Sequence, residues 1–392
     1  MNKPRIPDEE FRARIIKTQD AMKNEGYDLL LCFGNEAEPQ YVRYYSDYHP
    51  SFECACVLIA QEGDPLLLIG PESGTFAGDV SRIKEIRKLL VLRESSEPEY
   101  PGAVLDTFES VINEITDGKS LKKVGIVGNS LITHSVYADF VQSLKKVCAP
   151  TVESADLLVS KIRAIKSENE LNCMREAYRI SQLAMKNVLD HIKAGMTENQ
   201  VKGLAMSTIF SEGAEGEAYP FWILTGKGTN QAISRCRGKE IKDGDLVQIQ
   251  VSSRYQGYAS TVGRPVVIGK ATEEQKKMIE AALAAQKAIL STAKAGVNAS
   301  EVAAVHYNTM KKYGCEDFIL YGPCHGTGLM EGEYPWIESN SDYPLEENMT
   351  FCTCLYLGND KNEIGLRIED GYRITRDGTE SFSDYRRELI EI

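Results

Sequence analysis

The sequence predicts an α+β protein in which an α/β domain precedes a second domain of helices packed against a sheet. With 392 residues, the chain is longer than one compact core usually allows. Residues 1–150 alternate helical and strand-like patterns, whereas the remainder contains two successive blocks of paired helices followed by strands. We therefore expect two domains, over residues 1–155 and 160–392.

The N-terminal elements follow from hydrophobic periodicity. Helical patterns cover residues 8–26, 103–116 and 132–146, and apolar strand-like runs cover 28–33, 55–60, 65–70 and 123–128. This alternation is typical of an α/β domain.

The C-terminal elements are marked by helix-start signals. Three capping boxes, Ser167-x-x-Glu170, Thr197-x-x-Gln200 and Thr272-x-x-Gln275, each predict a helix start, and a further helix is expected at 299–313. Strands are expected at 221–225, 246–253, 258–268, 318–321, 349–356 and 365–374. The repeated order predicts two similar halves that share a sheet, with a site between them.

Composition excludes several classes of partner. A net charge of -12 argues against nucleic acid and anionic membrane surfaces, because no basic excess exists to neutralise phosphates. No apolar run approaches the roughly 20 residues that span a bilayer, and the N-terminus lacks a signal-peptide pattern. The ten cysteines show no CxxC spacing. We therefore expect a cytoplasmic protein with reduced, mostly buried thiols.

Four C-terminal motifs carry a family resemblance. They are Gly244 to Arg264, Pro323-Cys-His-Gly-Thr-Gly328, the strand 349–355 and Leu366-Arg-Ile-Glu-Asp370. In order and spacing they resemble the creatinase, aminopeptidase P and prolidase family, the pita-bread hydrolases. The resemblance implies a C-terminal pita-bread domain, preceded by a creatinase-type N-terminal domain.

The resemblance also implies a site for two divalent metal ions, held by two Asp, one His and two Glu. Here Gln250 and Thr261 stand where the two Asp belong, and Cys354 stands where the first Glu belongs. His325 and Glu369 keep their family identities, whereas Gly332 replaces a second histidine. With most ligands replaced, we expect no dimetal centre.

Creatinase, a metal-free member of the family, is the natural first analogue. Its catalytic His and two Glu correspond here to about Ile233, to Gly263 and to Cys354. The creatine-hydrolysing residues are therefore absent.

If the family geometry holds, Cys354, His325 and Glu369 lie together as the catalytic group. A thiol beside an imidazole that a carboxylate orients resembles a Cys-His-acid nucleophile, in which the histidine lowers the thiol pKa. The same groups suit a single zinc ion. The third alternative is that Cys354 only fills space left by lost metals.

An anionic substrate is expected, because the pocket loses carboxylates and gains arginine. Candidate substrate-binding residues are Arg235, Arg237, Arg264, Tyr258, Gln250, Thr261 and Glu333. Arg264 and Arg367 have a structural alternative, pairing with Asp245, Glu369 or Asp370. Glu331 and Glu333 could act as acid or base, but an acidic loop in so acidic a chain is usually solvated.

We therefore expect a homodimeric, metal-free hydrolase that cleaves a C–N bond in a small, carboxylate-bearing substrate and needs no cofactor. Two alternatives stay open: a metal-dependent Xaa-Pro dipeptidase or aminopeptidase, and a catalytically silent binding or regulatory homologue. The Tyr41–Phe52 segment is a candidate roof over the pocket, or ordinary core.

Overall fold

A computed structural model describes residues 3–392. The chain divides into two compact units. One comprises Ile6–Arg163, and the other comprises Ala164–Ile392 together with the start of the chain as far as Arg5. Within the described residues, no helix is long and apolar enough to cross a membrane.

The first unit is built around a six-stranded sheet. Its strands are β1 (Leu29–Gly34), β2 (Ala55–Ala60), β3 (Leu66–Ile69), β4 (Ile86–Lys88), β5 (Lys123–Val127) and β6 (Thr151–Ser154). Its helices are α1 (Asp8–Glu25), α2 (Gln40–Ser46), α3 (Gly74–Val80), α4 (Phe108–Thr116), α5 (His134–Val147) and α6 (Asp156–Ala164), with a 3-10 turn at Leu90–Leu92. The strand order is β4-β3-β2-β1-β5-β6.

The sheet of this unit is mixed. Strand β1 pairs antiparallel with β2 and parallel with β5. All six residues of β1 are buried, as expected for a central strand covered on both faces. The α/β alternation predicted for this region is confirmed.

The aromatic segment Tyr41–Phe52 is mostly core of the first unit. Tyr44, Tyr45 and Tyr48 are buried, whereas Phe52 is 81% exposed. Tyr45 also hydrogen-bonds through its hydroxyl to the hydroxyl of Thr18 at 2.9 Å. These three tyrosines therefore stabilise their own unit.

The second unit places four helices against a larger sheet. The helices are α7 (Glu168–His191), α8 (Glu198–Ser211), α9 (Glu273–Thr292) and α10 (Ala299–Tyr313). The strands are β7 (Trp222–Thr225), β8 (Leu246–Tyr255), β9 (Tyr258–Val267), β10 (Cys324–Gly326), β11 (Glu333–Ile337), β12 (Thr350–Asn359), β13 (Ile364–Ile374), β14 (Thr379–Ser381) and β15 (Ile390–Glu391). Two 3-10 turns cover Gly226–Asn230 and Glu316–Phe318.

The predicted helix starts are confirmed. Ser167, Thr197 and Thr272 each accept a hydrogen bond from the backbone N–H three residues on, and that residue's side chain accepts one from the backbone N–H of the cap residue. Each box satisfies two backbone donors that a helix start leaves unpaired. The local sequence therefore sets these three boundaries.

The sheet of the second unit consists of two facing halves. Its order is β11-β10-β12-β13-β9-β8-β7, with β14 on β13 and β15 on β9. The second helix pair of the sequence leads into β10 to β13, and the first leads into β7 to β9. The predicted pair of halves in one sheet is thus confirmed, and the halves meet between β9 and β13.

One predicted strand is wrong. Residues 318–321 were expected to form a strand, but a 3-10 turn ends at Phe318 and Ile319 makes only an isolated bridge to Leu357. Leu320 is 63% exposed, so the apolar pattern there does not reflect burial in the sheet. The strand that pairs with β12 instead begins at Cys324.

Gly365→Ala tests how closely β13 packs against the 3-10 turn Gly226–Asn230. A Cβ at Gly365 would lie 2.4 Å from the carbonyl oxygen of Thr229 and 2.8 Å from Cα of Asn230, and backbone cannot yield easily. We expect a loss of about 1–3 kcal/mol in the free energy of unfolding, measured by urea denaturation. Gly378→Ala is the matched control, because a Cβ there meets nothing within 4 Å. Equal losses in both variants would contradict the expectation.

Candidate functional site

Strand register places the site residues on one face of the C-terminal sheet. Gln250 of β8 and Glu369 of β13 both pair with Gly263 of β9, and Cys354 of β12 pairs with Glu369. Directly paired residues share a face, and so do alternate residues of one strand. Thr261 therefore lies on the same face as Gly263, beside Gln250.

His325 reaches this face from β10. It pairs with Cys352, which lies two residues from Cys354 and on the same face of β12. The five positions named by the family resemblance are each at most 7% exposed. The structure thus brings His325, Cys354 and Glu369 together, with Gln250 and Thr261 beside them.

A chain of hydrogen bonds crosses the site. The Gln250 amide nitrogen donates to Glu369 Oε2, and its amide oxygen accepts from Arg367 Nη1 at 3.0 Å. Arg367 fixes the orientation of this amide, because the guanidinium can only donate. Thr261 is bonded separately, through its hydroxyl to the Tyr219 hydroxyl at 2.6 Å.

His325 is held between a carbonyl and a carboxylate. Its Nδ1 lies 2.9 Å from the Gly326 carbonyl oxygen, which can only accept, so Nδ1 carries a proton. Its Nε2 lies 3.3 Å from Glu331 Oε1. Burial lowers the pKa of His325, but the charge of Glu331 and contact with Cys354 outweigh it, and the pKa is raised well above the usual range.

The pKa values of the Glu369 and Glu331 carboxyl groups shift in opposite directions. Burial, followed by the charge of Glu331, raises the pKa of Glu369 to about 7. Burial also acts to raise the pKa of Glu331, but the His325 charge and hydrogen bonds to His325 and Glu369 leave that pKa lowered. Two such carboxyls with separated pKa values can hold one proton between them near neutral pH.

Cys354 lies at the centre of the site, but its thiol is not activated. It contacts the Tyr321 hydroxyl at 3.3 Å and lies close enough to His325 and Glu369 for its pKa and theirs to depend on one another. Burial and the Glu369 charge raise the pKa of Cys354, although Arg367 and His325 act to lower it. We expected the pKa of this thiol to be lowered, as in a nucleophile, and that prediction is wrong.

The predicted arginines lie elsewhere. Arg264 is buried, and all its guanidinium nitrogens bond to protein groups, including Asp370 at 2.9 Å. These contacts favour the structural role of Arg264, in which it pairs with Asp370, over substrate binding. Arg235 and Arg237 are exposed on the segment that follows the 3-10 turn Gly226–Asn230. The structure does not bring their side chains into contact with the three catalytic candidates.

Tyr258 and Glu333, predicted to bind substrate, are bonded to other protein side chains. The Tyr258 hydroxyl donates to Glu170 Oε1 at 2.8 Å, in the core beneath the sheet. Glu333 forms an ion pair with Lys166 at 2.9 Å, with both side chains under 10% exposed. Its carboxylate is therefore not the solvated group that its loop position predicts.

Two residues whose roles the sequence left open belong to the site. Glu331, open between an acid or base and a solvated side chain, faces His325. Arg367, for which pairing with Glu369 or Asp370 was one alternative, bonds to Gln250 and to the Ala232 carbonyl oxygen at 2.6 Å. The i, i+2 spacing of Arg367 and Glu369 gave a usable signal, because it places both on one strand face. No local signal could place Glu331, because a loop carries it.

The comparisons with known proteins agree with this architecture. Residues 172–376 match the family model described as Metallopeptidase family M24, and residues 14–165 match the one described as Creatinase/Prolidase N-terminal domain. The chain belongs to metallopeptidase family M24. Its fold is the pita-bread fold preceded by a creatinase-type domain, as the resemblance implied.

Relatives within family M24 include an Xaa-Pro dipeptidase of Pyrococcus horikoshii, 28% identical over 83% of this chain and 88% of its own length. Another is an Xaa-Pro dipeptidase of Pyrococcus furiosus, 26% identical over 90% of this chain and 94% of its own. The solved X-Pro aminopeptidase of Thermotoga maritima matches with a TM-score of 0.82 at 24% identity, over 97% of this chain and 99% of its own.

The family name implies metal, but two divalent ions do not fit the residues at the five family positions. These hold an amide, a hydroxyl, an imidazole, a thiol and only one carboxylate. The buried Arg367 guanidinium adds a positive charge beside them. Two dications would therefore enter a buried site without the negative charge that offsets them.

Iodoacetamide labelling tests the state of the Cys354 thiol. Because burial raises its pKa, we expect Cys354 to label more slowly at pH 7.5 than the partly exposed Cys148. Mass spectrometry of native and urea-unfolded protein gives the two rates, and unfolding serves as the control for access. Preferential labelling of Cys354 in the native protein would restore its assignment as a nucleophile.

Proposed function

We propose that this M24 protein hydrolyses a C–N bond in a small substrate that carries a carboxylate, without a two-metal centre. The observation that carries the proposal is the buried Arg367, set beside His325, Glu331 and Glu369. It combines a binding group for an anion with groups that can transfer protons.

Arg367 supports the anionic substrate. Its side chain is 3% exposed, and its bonds run to two neutral acceptors, the Gln250 amide oxygen and the Ala232 carbonyl oxygen. Its Nε has no hydrogen-bond partner. A buried guanidinium with a spare donor favours a carboxylate.

Aromatic rings complete the surroundings of Arg367. The guanidinium lies 4.5 Å from the Trp222 ring centroid and within 6 Å of the rings of Tyr321 and Tyr356. These rings hold the guanidinium in place without neutralising it, since cation–π contacts add no negative charge. They also limit the space around it, which suits a small substrate.

His325, Glu331 and Glu369 support hydrolysis. Hydrolysis adds water to the carbonyl carbon, breaks the C–N bond and delivers a proton to the leaving nitrogen. The Glu331 carboxylate, whose pKa is lowered, can accept the proton of the water, and His325, whose raised pKa keeps it protonated, can deliver a proton to nitrogen from Nε2, 3.3 Å from Glu331 Oε1. We assign proton transfer to this group. In this proposal Cys354 lines the site and takes no part in the reaction.

A metal-dependent Xaa-Pro dipeptidase is the second candidate. The names of the relatives favour it, since the Pyrococcus horikoshii and Pyrococcus furiosus proteins are both called Xaa-Pro dipeptidases. The residues at positions 250, 261 and 354 oppose it, because none of them is a carboxylate.

The two candidates differ in metal content and in response to metal. We expect fewer than two metal ions per chain by elemental analysis, and no release of proline from Xaa-Pro dipeptides on addition of Mn²⁺ or Co²⁺. Two ions per chain together with Mn²⁺-stimulated proline release would establish the second candidate. Absence of turnover on every small amide, amidine and urea tested would point to the silent homologue.

Arg367→Met tests the anionic substrate once a turned-over compound is found. Each substrate is compared with its uncharged primary amide, and we expect the variant to lose about 10–100-fold in kcat/KM for the carboxylate alone, the worth of a charge-assisted hydrogen bond. Arg179→Met is the control, because Arg179 lies on the exposed surface of α7. An equal loss for carboxylate and amide would contradict the proposed contact.

The homodimer and the cytoplasmic location also remain proposals. Light scattering should give twice the chain mass of 43.6 kDa at micromolar concentration. The exposed Phe52 offers apolar area for such a contact. A mass equal to that of one chain would contradict the dimer.

A further inference from the structure

We propose that the second unit holds a single divalent cation of the zinc type, bound by His325, Glu331, Cys352 and Glu369. One ligand atom from each of these residues lies within 4.8 Å of the others. Zinc bonds of roughly 2.0–2.3 Å place tetrahedral ligands roughly 3.3–3.8 Å apart. Small rotations of the side chains therefore suffice to close the group around one ion.

This site differs from the one that the family resemblance implies. Glu331 and Cys352 occupy none of the five family ligand positions. The sequence left open a zinc ion on Cys354, whereas the geometry points to Cys352, directly paired with His325. The two cysteines are neighbours on one strand face, so only one of them needs to bind.

Charge decides in favour of one ion. With Cys352 as thiolate and both Glu331 and Glu369 ionised, the ligands carry three negative charges. One dication and the Arg367 guanidinium beside them balance these charges. A second dication would leave the buried site with a net positive charge, which burial disfavours strongly.

Outer contacts orient two of the ligands. The Gly326 carbonyl oxygen accepts from His325 Nδ1 at 2.9 Å, which leaves Nε2 as the ligand atom. The Gln250 amide donates to one oxygen of Glu369 and is itself held by Arg367, which leaves the other oxygen of Glu369 available. Such outer contacts are typical of metal sites.

Without an ion, Cys352 is a protonated thiol: burial, followed by the charges of Glu369 and Glu331, raises its pKa well above the usual range. A bound dication would oppose both effects, because a coordinating thiol loses its proton. The Cys352 Sγ lies 3.4 Å from the Thr353 carbonyl oxygen, which is a weak bond for a buried thiol.

The ligand types indicate which ion is bound. Thiolate and imidazole favour zinc and cobalt, whereas Mn²⁺ and Mg²⁺ prefer sites made of oxygen alone. When bound, such an ion supplies Lewis-acid activation of a carbonyl group. A bound ion occupies His325, Glu331 and Glu369, so the proton transfer assigned to them above belongs to the ion-free protein. Ion binding is measured without substrate and therefore does not rest on the proposed hydrolysis.

Co²⁺ titration of metal-stripped protein tests the site. We expect one equivalent of Co²⁺ to bind, with the near-ultraviolet absorption band of a thiolate–cobalt bond, and one equivalent of Zn²⁺ to abolish that band. Cys352→Ser should remove the band, whereas the matched control Cys354→Ser should keep it. Failure to bind, binding of two equivalents, or loss of the band only in Cys354→Ser would overturn the proposal.

Two more variants guard against a folding artefact. Glu331→Gln alters a loop side chain outside the sheet, and we expect it to weaken Zn²⁺ binding in calorimetry by at least about 10-fold while circular dichroism stays unchanged. Gln250→Ala removes only an outer contact, and a loss of about 10–100-fold is expected. Unchanged affinity in the folded Glu331→Gln protein would exclude this carboxylate and overturn the four-ligand site.

Discussion

Strands β9 and β13 can pair at Gly263 only because that residue has no side chain. A Cβ there would lie 2.8 Å from Cβ of Glu369 and 3.3 Å from the Gln250 amide nitrogen. This close approach joins the two halves of the sheet, and the side chains of both halves then converge on one face. The Gln250 to Glu369 hydrogen bond is the direct product of that approach.

The balance of charge inside the site follows from the same convergence. Arg367 lies beside the two positions where the family has Asp. Here these positions hold the amide of Gln250 and the hydroxyl of Thr261. The charge of Arg367 acts to lower the pKa of both Glu331 and Glu369. On the proposals above, a bound carboxylate or ion would therefore also change where the proton lies.

Much of the fold could be predicted from the sequence, because its signals are local. The capping boxes at Ser167, Thr197 and Thr272 each fix a helix start through contacts within one turn. The site was partly predictable, since strand alternation and the family motifs together place His325, Cys354 and Glu369 on one face.

The rest depends on contacts between residues far apart in the chain. Glu331 reaches His325 along a loop whose path no periodic pattern records, and the pKa of Cys354 depends on burial that its own strand does not reveal. The predicted strand at 318–321 failed for a related reason: its apolar residues do not all face the core.

Both tryptophans of the chain stand at this site. Trp222 lies against the Arg367 guanidinium, and the Trp336 ring meets the His325 ring edge-on at 5.5 Å. Indole emission responds to nearby charge and to contact with water, and no other indole contributes a background. The protein's intrinsic fluorescence is therefore a label-free reporter of binding at this site, with one fluorophore beside the guanidinium and the other beside the imidazole.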